Sequence, residues 1–165
     1  MYVSFDQLPD SARLWVYPAD RPLSADEAAA AGQHLQAFCD TWAAHGHPLR
    51  SSFRIVEDQL ILLAVDEALN AASGCSIDAS THALRAVEQA LGVQLLDRGR
   101  VVLRTEGGFA LVALPKLKAA VADGTLTPET PVVNATAETL GAWRTQPEQL
   151  AAESWLRRYF KHKLV

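Results

Sequence analysis

Residues 14 to 17, Leu-Trp-Val-Tyr, form a short apolar run that Pro18 stops, which predicts a strand closed by a turn. Ser24 then offers a helix cap with Glu27 three residues on as its capping-box partner. Ala31, Leu35, Phe38, Cys39 and Trp42 follow at helical spacing, and the helix they predict ends near Gly46 and Pro48. From Ser52 to Val56 polarity mostly alternates. Glu57, Asp58 and Gln59 interrupt, and an unbroken apolar run covers Leu60 to Val65. This is the pattern of a hairpin whose second strand is buried on both faces. After Asp66 and the small-residue loop Glu67 to Gly74, the spacing of Ile77, Leu84, Val87 and Leu91 predicts a second helix stopped by Gly92. Val101 to Leu103 reads as a fourth strand, ended by Glu106, Gly107 and Gly108.

The order strand, helix, strand, strand, helix, strand is that of an α+β ferredoxin-like βαββαβ sheet, with spatial order 4-1-3-2 and both helices on one face. The third strand is the most continuously apolar and the second carries polar alternation, as central and edge strands do. Beyond this core at 1–108, residues 109–165 predict a helix around Leu111 to Val121, a short extended piece at Pro131 to Val133, and a helical tail from Thr136 interrupted at Pro147. This C-terminal extension is expected to pack on the core, giving one α+β domain over 1–165.

Composition narrows the function classes. A length of 165 residues at 49% hydrophobic supports one substantial core. With 15 basic against 19 acidic residues and a formal charge of −4, no cationic excess exists to neutralise nucleic-acid phosphates, so no nucleic acid is expected as partner. The segment MYVSFDQLPDSAR has no basic start leading into an apolar stretch, and no run reaches the ~20 apolar residues that cross a bilayer. A cytoplasmic protein without membrane association is the expectation. Its two cysteines, Cys39 and Cys75, are then expected to be reduced thiols. Cys39 shares the apolar helix face with Phe38 and Trp42 and reads as core.

The segment that could carry chemistry is Ala72 to Ser80, which places Cys75 among small residues at the start of the second helix. A helix N-terminus offers unsatisfied N–H donors and partial positive charge, so Ser73, Gly74, Ser76 and Asp78 are candidates for holding a small anionic ligand or an acidic group of a protein partner. The same charge lowers the pKa of a nearby thiol. The bland alternative is that Ser76 or Asp78 caps the helix while Cys75 packs as a small apolar residue. In the ferredoxin-like topology the loop His45-Gly46-His47-Pro48 comes to the same end of the sheet. Cys75 as nucleophile, His45 or His47 as base, and Asp66 or Glu67 as the orienting carboxylate would then be neighbours, the set that covalent cysteine catalysis needs. Alternatively the two histidines are solvated, or one caps the first helix. His45, His47 and Cys75 are also mixed ligands that zinc accepts, but no CxxC or HExxH spacing supports a metal, and no cofactor is implied. His34, His82 and His162 read as surface residues on helices. Trp155, Arg157, Arg158, Tyr159, Phe160 and Lys161 read as a tail helix that docks its aromatic side.

Several stretches, Phe5-Asp6-Gln7-Leu8-Pro9, Arg13 to Tyr17, Trp42 to Gly46, Ala64 to Glu67, Ala71 to Ser80, Leu96-Asp97-Arg98 and Ser154-Trp155, give the chain a nearly end-to-end resemblance to a family of small bacterial proteins of unknown function often labelled "ABC transporter ATPase". The Ala71 to Ser80 stretch is the most specific of them. The resemblance implies a shared fold and supplies no catalytic assignment. ATP hydrolysis is not expected, because a GxxxxGK[ST] phosphate cradle is missing from the sequence, as are GxGxxG and GxSxG.

Overall fold

A computed structural model describes residues 1–161, so His162 lies outside the described residues. Strand β1 is Arg13–Pro18 and helix α1 is Ala25–Thr41. The capping box is formed as the sequence predicts: Glu27 N donates to Ser24 Oγ at 3.2 Å, and Ser24 N donates to Glu27 Oε2 at 2.8 Å. After α1 comes a ribbon of two very short strands, β2 (Ala43–Ala44) and β3 (His47–Pro48), in a segment read above only as helix end and loop. Next are β4, Arg50–Val56, and β5, Leu60–Asp66. Helix α2 is Gly74–Leu91 and ends on Gly92, whose φ of 64° is the left-handed conformation that glycine adopts without a Cβ clash.

Strand β5 is central, antiparallel to both neighbours in the order β1-β5-β4. Its residues are buried on both faces because both are covered. Ile61, Leu63 and Val65 join Tyr17 of β1 against Leu35 and Cys39 of α1 and Leu84 and Val87 of α2. Leu60, Leu62 and Ala64 are buried on the opposite face together with Leu14 and Val16. A 3-10 helix, Phe5–Gln7, contacts β4, where Arg54 reaches both Asp6 carboxylate oxygens at 2.9 Å and lies 4.5 Å from the Phe5 ring centre.

The four-stranded ferredoxin-like order is not formed. The expected fourth strand exists as β6, Arg100–Thr105, but it turns at Glu106–Gly107 and pairs with β7, Gly108–Ala113, so a local partner takes the place of β1. The residues read as the start of a helix at Leu111 are therefore strand. The short apolar run Phe-Ala-Leu-Val-Ala after two glycines suits a hairpin strand, and Pro115 opens a 3-10 turn before the short helix α3, Leu117–Ala122. Strand β8, Pro131–Val133, appears where expected. Helix α4 is only Leu140–Thr145 and stops before Pro147, and the tail continues as β9, Glu148–Leu150, with 3-10 helices at Ala151–Glu153 and Trp155–Phe160. The second sheet is antiparallel in the order β7-β6-β8-β9.

These elements form two compact units, 1–96 with 136–145, and 97–135 with the chain from 146 onward. The chain passes from the first unit to the second after Leu96, ahead of β6. The second unit has its own core, in which Leu117, Leu126, Leu156 and Phe160 are fully buried beside Leu103 and Val132.

Candidate functional site

Helix α2 begins with two serines that satisfy each other. Ser73 Oγ accepts from Ser76 N at 3.2 Å, and Ser76 Oγ donates to Ser73 O at 2.8 Å, which leaves the Ser76 side chain buried. Trp42 Nε1 donates to Ser76 O at 2.8 Å and ties this turn to the chain leaving α1. Between the serines, the N–H groups of Gly74 and Cys75 have no acceptor among the described residues. The first turn of α2 holds no acidic side chain, whereas that of α1 holds Asp26 and Glu27. Among the described residues the positive end of α2 therefore keeps two donors without an acceptor and has no acidic side chain in its first turn.

His45 is delivered by the ribbon. Ala44 pairs with His47, so His45 and Gly46 form a two-residue hairpin loop, with φ of 52° and 78°. Positive φ at both loop residues matches the right-handed twist of the strands, and histidine tolerates it better than most residues with a Cβ. Asn70 Nδ2 holds the ribbon, donating to Ala44 O and His47 O, each at 3.2 Å.

The turn and the helix start face a common open cleft of about 430 Å³, lined by Ala43 and His45 from the ribbon and by Ser73 to Ser76 and Ala79 from α2. Cys75 is exposed there. Its counterpart Cys39 is fully buried, and burial pushes that thiol up to about 11. No family model, curated protein or solved structure matches this chain.

The structure thus brings together His45, Cys75, Ser73, Gly74 and Ser76. His47 is an exposed residue of β3 and is not part of the lining. Asp66, read above as an orienting carboxylate, faces Arg50 Nη1 at 3.4 Å and accepts from Ala68 N at 3.0 Å. Glu67 accepts from Ala72 N at 2.9 Å and lies 3.7 Å from Arg13 Nη1. Asp78 is exposed one turn along α2, outside the lining. Among the described residues no group of three or more His, Cys, Asp or Glu is placed to hold a metal, and no helix is long and apolar enough to cross a membrane. Ala43, Trp42 and Asn70 were not legible as site residues. The signal for the ribbon was the pair His45-Gly46, a two-residue turn signature hidden by flanking strands of two residues each.

Proposed function

We propose that this cleft binds a small anionic group, a carboxylate or phosphate, and that the chain is a cytoplasmic binding or regulatory module. One observation carries the reading: Gly74 and Cys75, whose N–H groups have no acceptor among the described residues and whose helix turn holds no acid, line a cleft that is open to solvent and shared with His45. Backbone donors and a helix end recognise negative charge, and the imidazole adds a further donor. The stretch from 71 to 80, on which the resemblance to the small bacterial family chiefly rests, spans this helix start. Nothing in the lining resembles an ATPase phosphate cradle, which needs a lysine, so ATP turnover stays outside the proposal.

Inorganic phosphate is expected to protect Cys75 from iodoacetamide in a concentration-dependent way, and His45→Ala to weaken the protection. Alkylation of Cys75 that is indifferent to phosphate would remove the anion site.

The shared cleft also favours a second reading, a thiol-dependent enzyme in which His45 takes the Cys75 proton and the thiolate attacks an electrophilic substrate. In that case His45→Ala slows alkylation even without phosphate, while His47→Ala, outside the lining, changes nothing. Asp66 has no part in this version, since Arg50 and the Ala68 amide engage it.

A further inference from the structure

Strand β7 is an open edge. Among the described residues it pairs with β6 alone. Leu114 N donates to Gly99 O at 2.8 Å, and this sets the phase of the β6–β7 ladder: the even-numbered residues of β7 exchange hydrogen bonds with β6. Phe109, Leu111 and Ala113 therefore direct their N–H and C=O groups outward, and among the described residues those groups have no partner.

Both edges of the other sheet are covered. Along β4, Val3 N donates to Ser51 O and Ser51 N to Met1 O, both at 3.0 Å. Along β1, Leu14 N donates to Glu138 O at 2.9 Å, and Arg13 bridges Thr139. By contrast β7, Gly-Phe-Ala-Leu-Val-Ala, carries no charge and no proline, the devices that keep an exposed edge from pairing.

We propose that β7 pairs with β7 of a second copy of this chain, antiparallel across a two-fold axis at Leu111. In that register Leu111 faces Leu111, and Phe109 and Ala113 face each other in both directions. Every outward residue then meets an outward residue and exchanges both of its backbone bonds. The ends agree with the same alignment. Pro115, which has no N–H, falls opposite Gly107 and stops the ladder. Exposed Glu106, in the turn before β7, and exposed Lys116, in the 3-10 turn after it, stand at opposite ends of the strand, so the antiparallel alignment brings the acidic end of one copy to the basic end of the other, twice by symmetry. An unrelated peptide has no reason to match this pairing of charges, whereas a second copy does so automatically.

Sedimentation of the full chain tests the idea. The wild type is expected to be a concentration-dependent dimer. Glu106→Lys or Lys116→Glu alone should weaken it about tenfold, through two symmetric contacts reversed at once, and the two together should restore it. Both positions are exposed, so circular dichroism should not change. In a Cys75→Ser background, Leu111→Cys should crosslink to itself on mild oxidation, since a hydrogen-bonded pair holds its Cα atoms about 5.5 Å apart, within disulfide range. Thr105→Cys, on the paired strand β6, should not. A chain that stays monomeric at all concentrations overturns the proposal. So does a dimer indifferent to either charge reversal, or one in which position 105 crosslinks as fast as position 111.

Discussion

The Cys39 thiol sits on the inner face of α1 with no exposed surface, and burial raises its ionisation from the ordinary 9.0 to about 11. The sign of the consequence follows from linkage. Below pH 9 the thiol is protonated in the folded and unfolded chains alike. Between 9 and about 11 only the unfolded chain loses the proton, so stability falls across that window. Urea unfolding at several pH values should show this decline, and Cys39→Ala, though less stable throughout for lack of packing, should show a flatter one. Cys39 was legible as core because its place on a helical apolar stripe states its burial directly. The surroundings of Cys75 were legible only in part. Its helix start could be read from the small residues, although the sequence offered Ser76 or Asp78 as the cap where Ser73 caps, and topology named His45 or His47 without choosing between them. The diversion of Asp66 to Arg50 was hidden, since an ion pair between neighbouring strands depends on register, which the apolar pattern of β5 does not specify at its last residue.

At the scale of elements, the start of α1 shows how local signals translate. Arg21 donates to both Glu27 carboxylate oxygens, at 2.8 and 2.9 Å, and with the Ser24 amide holds that carboxyl down at about 2 instead of the usual 4.5. A depressed carboxyl stabilises the fold above its unfolded value and loses that contribution as pH falls through the folded one. Acid titration of stability should therefore steepen between about pH 4.5 and 2, and Glu27→Gln should remove this component. Ser24→Ala should lower stability by about 1 kcal/mol through loss of the cap. Such short-range devices are fully written in the sequence. The partner of β6 is not. Val101 to Leu103 announces a strand, but whether it closes on the distant β1 or on the strand that follows it is decided by the Glu106–Gly107 turn and by the short apolar run of β7, which competes with a helical reading of the same residues. Local closure costs less chain entropy, and it won.

For the whole molecule, the chain leaves the first unit at Leu96 and returns to it for Thr136–Thr145, a visit that no periodicity announces. The return is fastened at Asp10. Gly141 N donates to Asp10 O at 2.8 Å, and Arg144 reaches Asp10 Oδ1 at 2.7 Å and Leu8 O at 3.1 Å. A Cβ on Gly141 would lie 2.8 Å from the Asp10 Cβ and 3.1 Å from its carbonyl oxygen, so the backbones would have to separate. Gly141→Ala should destabilise the first unit by about 1–3 kcal/mol, as overpacking does, and urea unfolding followed by tryptophan fluorescence measures it. An unchanged midpoint would mean that this return segment is not a fixed part of the unit. The same unit carries the cleft, and its central claim is that the unpaired amides at the start of α2 hold an anion. The most direct test is to follow the backbone amide resonances of Gly74 and Cys75 while inorganic phosphate is added at constant ionic strength. The account predicts that these two shift together and saturate, that the His45 imidazole signals move with them, and that His47 does not respond. Shifts spread over the surface without saturation, or Gly74 and Cys75 amides that stay in place, would contradict it.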